Sequence, residues 1–325
     1  MTGRDTIRNM PVSIDPAHFR YSIVMPVYNS QDIVGTTIDT VVQTFTDAGL
    51  DFELICVNDG SPDDSWRVIS ERADRTPEVL ALDLMKNYGQ HYANLAGLTE
   101  ATGDYVITLD DDLQNPPDQA LLLIDKAVRG GHEVVFGQFE QKQAGVTRKL
   151  GSALIGRINQ RVFGQPPDLV VSNFRILRKD VVDRIVSSRT AYPYITGQAL
   201  LMSSDRANVS VRHDRRPVGK SNYNLTRIVA LVLTILFSYS SWPLRSAALL
   251  GFAVSGLSFL LGGFLVVRAL VTETAVPGWT SIMVLLSLFA GVIIALLSMI
   301  GEYVVRTLTT VSRDASFHVV RRSGT

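Results

Sequence analysis

Residues 105–118 read YVITLDDDLQNPPD. The opening run, Tyr105 to Leu109, carries no charge and is bounded by turn-forming residues, the signature of a short buried strand. Three aspartates follow at once, and from Pro117 to Arg129 the apolar residues recur at helical spacing. The stretch therefore reads as strand, acidic turn and helix, with Asp110, Asp111 and Asp112 at the carboxyl end of the strand.

The same unit recurs on both sides. Apolar runs at 21–27, 52–58, 79–84, 105–110 and 133–139 alternate with segments of helical period at 33–48, 63–73, 90–101 and 117–129. Several runs are continuously hydrophobic, as expected of strands buried on both faces of a mainly parallel sheet. Alternation of this kind predicts an α/β fold whose sheet is flanked by helices. In such sheets ligands bind beyond the carboxyl ends of the strands, and three of those ends carry polar residues. Along a strand side chains alternate, so Asp110 and Asp112 are expected to share a pocket while Asp111 turns away. Adjacent carboxylates repel one another unless a cation neutralises them, and hard oxygen ligands suit Mg²⁺ or Mn²⁺ held together with substrate phosphates. The alternative is an Asp-rich turn that only caps the following helix. At the end of the second run, Asp59 in VNDGS (57–61) can accept hydrogen bonds from a base or ribose, although Asp-Gly-Ser is also ordinary turn chemistry. After the first run, Pro26 and Tyr28 offer a backbone edge and a ring to a nucleobase.

Composition narrows the class further. The 325 residues are 46% hydrophobic and 19% charged, with a mean hydropathy of +0.17. The 31 basic and 31 acidic residues cancel, which gives no reason to expect nucleic acid as a partner. The cancellation is uneven: 19 basic against 26 acidic residues up to position 202, then 12 against 5. The single cysteine, Cys56, excludes an intramolecular disulfide and a thiolate metal cluster, and its apolar surroundings predict a buried, inert thiol. Residues 1–20 are polar and lack the apolar core of a secretory signal. No Gly-x-Gly-x-x-Gly follows the first strand, which counts against a dinucleotide oxidoreductase.

Two later stretches, between Arg245 and Arg268 and between Glu273 and Glu302, contain no charge. Each is long enough to span a bilayer, for which about 20 apolar residues are needed. Spans at about 246–270 and 280–302 predict a transmembrane hairpin over 245–305. Arg227 and Arg245 precede it, and Arg306, Arg313, Arg321 and Arg322 follow it, so both termini are expected in the cytoplasm. The shorter apolar segment within 227–244 ends at Pro243 and is expected to lie in the membrane interface, with Tyr239 and Trp242 at headgroup level.

In the stretches SIVMPVYNS (22–30), VNDGSPDDS (57–65), KNYGQHYANLAGLTEATGDYVITLDDDLQNPPD (86–118), GKSNYNL (219–225), PLR (243–245) and GEYVVR (301–306), the sequence resembles the family 2 glycosyltransferases of GT-A fold. It is similar in particular to the membrane-attached polyprenyl-phosphate glycosyltransferases, such as dolichol-phosphate mannose synthase and the bacterial undecaprenyl-phosphate sugar transferases. The resemblance covers nearly the whole chain after residue 20. It implies a cytoplasmic, Rossmann-like GT-A domain over 21–226, followed by the juxtamembrane helix, the hairpin and a basic cytoplasmic tail over 306–325. The location implied is the inner (plasma) membrane, as a multi-pass protein.

The resemblance also implies site residues. Asp110, Asp112 and Gln114 match the family's metal-binding pattern, with Mg²⁺ or Mn²⁺ as cofactor. Pro26, Tyr28, Asp59 and Asp110 match the nucleotide site, and Asp112, Asn173 and Arg175 fall in the catalytic region. The reaction implied is inverting transfer of a sugar from a nucleotide-sugar donor to polyprenyl phosphate at the bilayer. One departure is informative: many relatives carry aspartate just before Phe-Arg, whereas this chain has Asn173. Asn173 cannot take a proton, but a lipid phosphate with a second pKa of about 6 is already largely anionic at neutral pH. The acceptor phosphate needs cations, for which Arg148, Arg215, Arg216 and Lys220 with Ser221 are the candidates. A basic patch that only attracts anionic lipids is the alternative reading of those residues. An inactive scaffold of the same fold, or a transferase with another lipid or polymer acceptor, is the alternative for the whole chain. The sequence leaves the donor sugar and self-association into a homo-oligomer open.

Overall fold

The computed structural model describes residues 15–139, 156–188, 190, 192–214, 225–240 and 317–324, with scattered positions and short runs between 242 and 307. The chain divides into two compact units, one comprising Met1–Arg189, Pro193–Asn224 and Asp314–Thr325, the other Thr190–Tyr192 and Leu225–Arg313.

The first unit is built on β1 (Arg20–Val27), α1 (Val34–Asp47), β2 (Asp51–Asn58), α2 (Ser65–Ala73), β3 (Val79–Leu84), α3 (Gln90–Glu100), β4 (Tyr105–Thr108) and α4 (Asp118–Gly130). It continues with β5 (Val134–Phe139), β6 (Arg175–Arg178), α5 (Lys179–Ser187), α6 (Ile195–Met202), β7 (Arg206–Val211) and, at the end of the chain, β8 (Val319–Ser323). The eight strands form one sheet in the order β7-β5-β6-β4-β1-β2-β3-β8. β1 pairs in parallel with β2 and β4, β2 with β3, and β5 with β7. β6 and β8 run antiparallel to their neighbours. This is an α/β, GT-A-like, mainly parallel sheet with flanking helices.

The apolar runs become strands because helices cover both faces: every residue of β1 after Arg20, and all of β3, is buried. α1 turns Val34, Ile38, Val41 and Phe45, spaced three or four apart, into the core shared with Ile23, Met25, Leu54 and Cys56. Cys56 is fully buried and burial raises its thiol pKa well above the ordinary range, so it stays a neutral core residue.

Three differences from the sequence reading matter. The strand expected over 105–110 stops at Thr108, so the aspartates lie on a turn and strand alternation does not govern them. β6, inserted antiparallel beside β4, pairs Arg175 with Thr108 and brings the preceding Asn173 to the end of β4, where the Thr108 hydroxyl donates to the Asn173 carbonyl. Within 306–325, read as a basic tail, residues 319–323 form β8 against β3.

In the second unit α7 (Leu225–Tyr239) covers most of the segment expected as an interfacial helix and ends before Pro243. The Tyr239 hydroxyl donates to the Tyr192 carbonyl at 2.6 Å, and the Tyr303 hydroxyl donates to the Ser240 carbonyl at 3.1 Å. The Phe237 and Tyr303 rings lie 5.8 Å apart, so α7 is tied to the last apolar run through the GEYVVR segment. Among the described residues no helix is long and apolar enough to cross a membrane, and the expected spans at 246–270 and 280–302 are described only in part, at scattered positions and short runs. Those positions include Leu260, Phe264, Val267, Ile282, Leu286, Ile293 and Leu297, which are helical in backbone and more than half exposed.

Candidate active site

The carboxyl ends of β1, β2 and β4 surround a cavity of about 350 Å³. Pro26 and Tyr28 come to it from the end of β1, Asp59 from β2, and Asp110, Asp112 and Gln114 from the turn after β4. Asn173 closes it from the segment before β6. Residues 80 or more positions apart thus meet because the parallel crossovers return the ends of β1, β2 and β4 to the same edge.

Each loop is held by its own backbone chemistry. Asp59 is buried, and its two oxygens accept from the Tyr88 and Gly89 amides at 2.7 and 2.8 Å. Burial raises its pKa and these two hydrogen bonds oppose the rise. A carboxylate has about four acceptor sites, so Asp59 both anchors the loop before α3 and keeps capacity for a ligand. Gly60 allows this approach: at φ +61, a Cβ there would lie 2.3 Å from the Lys86 carbonyl carbon. Asn29 and Leu113 also have positive φ, 54° and 56°, which is uncommon for asparagine and costly for leucine. At Leu113 this conformation turns the Gln114 amide back onto Asp112 Oδ1 at 3.0 Å.

Asp111 does not turn away. It lines the same cavity, its Oδ2 accepts from the Tyr28 amide at 3.4 Å, and its carbonyl accepts from the Thr37 hydroxyl at 2.9 Å. Enclosure by protein, with Asp112 and Asp111 as like-charged neighbours, pushes the Asp110 carboxyl up to about 6. Such a set calls for a cation, and two carboxylates with an amide oxygen at Asp110, Asp112 and Gln114 fit the hard-oxygen chemistry of Mg²⁺ or Mn²⁺. Among the described residues no three His, Cys, Asp or Glu side chains form a complete metal cage. These ions ordinarily take one or two carboxylates and leave the other positions to phosphate and water.

Gln90 lines the cavity and is absent from the sequence reading. Gln90, the first residue of α3, donates from Nε2 to Asp110 Oδ1 at 2.7 Å, and its Oε1 accepts from Asn173 Nδ2 at 3.5 Å. His91 follows it, with its ring edge-on to Tyr194 at 5.3 Å. Arg175, expected in the catalytic region, is fully buried and does not line the cavity. It donates to the Thr196 hydroxyl at 2.7 Å, while its Nε and Nη2 have no partner among the described residues. Burial lowers its pKa to about 10, with Tyr194 and Asp110 opposing, so it stays charged at neutral pH and acts on Asp110 through space.

Of the acceptor-side cations, Arg148, Arg215, Arg216, Lys220 and Ser221 lie outside the described residues. The chain leading to them is placed: the Asp214 amide donates to the Gln114 carbonyl at 2.9 Å, and His213 packs on Phe139 with ring centroids 4.6 Å apart. Arg212 pairs with Asp118 at 3.4 Å.

A GT-A-like α/β sheet thus carries a carboxylate-lined cavity at the carboxyl ends of its strands. Residues 22–186 match the model of Glycosyl transferase family 2, and the chain belongs to that family. An undecaprenyl-phosphate 4-deoxy-4-formamido-L-arabinose transferase of Klebsiella pneumoniae (strain 342) is 30% identical over 93% of each chain. YkcC of Bacillus subtilis (strain 168), described as an uncharacterized glycosyltransferase, is 29% identical over 94% of each. Among solved structures, mannosyl-3-phosphoglycerate synthase from Rubrobacter xylanophilus superposes with a TM-score of 0.50 at 16% identity, over 67% of this chain and 72% of that one, a likeness of fold.

Proposed function

We propose that this protein transfers a sugar from a nucleotide-sugar donor to polyprenyl phosphate, with inversion at the anomeric carbon, at the cytoplasmic face of the inner (plasma) membrane. The observation that carries this reading is the convergence of Asp59, Asp110, Asp112 and Gln114 on one cavity, in a family 2 chain whose relatives include undecaprenyl-phosphate sugar transferases. Pro26 and Tyr28 hold the base, Asp59 the nucleoside, and the Asp110, Asp112 and Gln114 oxygens the divalent ion. When bound, Mg²⁺ or Mn²⁺ supplies positive charge against the diphosphate leaving group.

In the transfer, an oxygen of the lipid phosphate forms the new bond to the anomeric carbon from the face opposite the diphosphate. The old bond breaks with its electron pair leaving on the nucleoside diphosphate. The acceptor is already anionic, so Asn173 orients and does not abstract a proton. Arg148, Arg215, Arg216, Lys220 and Ser221 serve the acceptor phosphate; the tether from Asp214 to Gln114, one residue before Arg215, supports that assignment.

Membrane attachment belongs to the same reading. The unit that contains the cavity includes chain on both sides of Leu225–Arg313, so crossings within that segment are even in number. A hairpin at 246–270 and 280–302 with α7 in the interface meets this condition, and three spans do not. Exposed apolar side chains at helical positions such as Phe264 and Leu286 support contact with lipid.

The test is to incubate membranes containing the protein with undecaprenyl phosphate, Mn²⁺ and a panel of radiolabelled nucleotide sugars. An organic-extractable, acid-labile product from one donor is expected. Absence of product from every donor, with Mn²⁺-dependent nucleotide binding also absent, overturns the reading in favour of an inactive scaffold.

A further inference from the structure

The last strand, β8, occupies the sheet edge next to β3 and is seated closely. The Met85 amide donates to the His318 carbonyl at 2.9 Å. Gly324 has φ +88 and lies so near β3 that a Cβ on it would sit 2.3 Å from the Val79 carbonyl oxygen.

The two arginines of β8 behave differently. Arg322 pairs with Glu100. Arg321 lies over the Trp66 ring, 4.8 Å from its centroid, and donates from Nε to Asp83 Oδ2 at 2.6 Å. Asp83 is buried at 3% exposure, and its other oxygen accepts from Asn58 Nδ2 at 2.6 Å. Asn58 Oδ1 accepts from the Ser61 hydroxyl at 2.5 Å, and Ser61 Oγ accepts from the Asn29 amide at 3.1 Å. Every donor in this series points toward the Asp83 carboxylate, so the bonds polarise one another in one direction. The far end is the donor cavity: Asn29 follows Tyr28, and Asn58 precedes Asp59. Without Arg321 the buried Asp83 charge would rest on Asn58 alone, an uncompensated arrangement that draws Asn58 and Ser61 out of place. A second cavity of about 530 Å³ borders Asn58, Ser61, Asp83 and Arg321, so water can reach Asp83 when the guanidinium is removed, and the fold need not collapse.

Resting on the reading of the 350 Å³ cavity as the donor site, we propose that Arg321 is a positioning residue for the donor nucleotide: through Asp83, Asn58 and Ser61, the strand that follows Leu225–Arg313 sets the loops that hold the nucleoside. The experiment uses full-length protein in detergent, with UDP, GDP and dTDP each titrated with Mn²⁺ by calorimetry, and the tightest of the three carried through the variants. R321M is expected to weaken binding five- to fiftyfold and to raise the donor KM by the same factor, with kcat within twofold. R321K recovers most of the loss, and R322M, on the same strand but outside the relay, stays within twofold of the unmodified protein. In a double-mutant cycle R321M and S61A are expected to be strongly non-additive, which a merely structural role of β8 would not produce. If R321M binds as R322M does, or if its effect adds to that of S61A, the proposal is overturned. Should R321M not fold, the cycle is run with R321Q, which also removes the charge from Asp83, and additivity there overturns it equally. If the unmodified protein binds none of the three nucleotides, the donor-site reading fails and the relay with it; if it binds and R321M matches R322M, the relay alone fails.

Discussion

Gln90 Nε2 donates to Asp110 Oδ1 at 2.7 Å, and this single bond ties the start of α3 to the acidic turn after β4. The other end of the same amide accepts from Asn173 at 3.5 Å, so the orientation of Gln90 is set by an acceptor on one side and a donor on the other. The asparagine thereby complements its neighbours. A carboxylate at 173 would set an acceptor against Gln90 Oε1 and add negative charge near Asp110, whose carboxyl is already pushed up to about 6 by burial and by its like-charged neighbours.

Replacing Asn173 with aspartate should therefore not accelerate transfer. N173D is expected to lower the rate at saturating donor and acceptor, by about threefold to thirtyfold, as Gln90 reorients and Asp110 is disturbed. Initial rates at fixed Mn²⁺ check this, and a rate raised tenfold or more would show that an absent base limits the enzyme.

Asp59 offers a second test, because both of its oxygens accept a backbone N–H. In D59N one of those amides would face an NH₂ group, and the charge assistance to the other would vanish. Hydrogen bonds to charged groups contribute about 1.5–3 kcal/mol, so a ten- to hundredfold loss of nucleotide affinity is expected if the 88–89 loop shifts. Calorimetric titration with a nucleoside diphosphate and Mn²⁺ reads it directly.

Gly60 is the residue that lets these two loops meet. An added Cβ would collide with backbone at Lys86 and Asn87, atoms that cannot swing aside as a side chain could, and φ +61 adds strain for any L-residue. G60A is expected to lower the melting temperature and to weaken nucleotide binding at least as much as D59N. G49A, at a position of similar φ (+67) with open space around it, isolates the backbone strain from the collision, and its nucleotide affinity should stay near that of the unmodified protein.

Legibility in the sequence follows burial. β1 and β3, buried along nearly their whole length, stand out as mainly apolar runs broken only at Arg20 and Ser22 and at Asp83, and the polar residues after them mark the cavity rim. β6 reads RILR, β7 RANVSV and β8 VVRRS, and their charged or small polar residues hide the strand pattern. β7 and β8 are edge strands that pair on one side, so nothing in their composition demands two apolar faces. At the site, Asp110, Asp112 and Asn173 are visible as residue types in place. Gln90 and Arg321 are not, because their roles depend on partners 20 and 238 positions away, a pairing that no local pattern encodes. The orientation of Asp111 is missed for a simpler reason: the strand ends two residues before the aspartates begin.

The partly buried His91 gives a pH signature. Burial, with the nearby Arg175 charge, lowers the His91 pKa from 6.5 to about 4. The folded protein therefore keeps this ring neutral down to about pH 4, while the unfolded chain takes up a proton near 6.5. Stability from His91 is complete above 6.5 and is lost as pH falls from 6.5 toward 4. In H91Q this loss should disappear, so its melting temperature should fall less between pH 6.5 and 4.5 than that of the unmodified protein, and the two should run parallel above pH 7. Asp110 contributes an opposite slope in both proteins and cancels in the difference. Asp180, held at about 2 by Arg178 and Arg184, acts only below pH 4. Thermal melts at half-unit pH steps in a common detergent check the prediction, and parallel curves across the whole range would show that His91 is protonated as readily in the folded state as in the unfolded one.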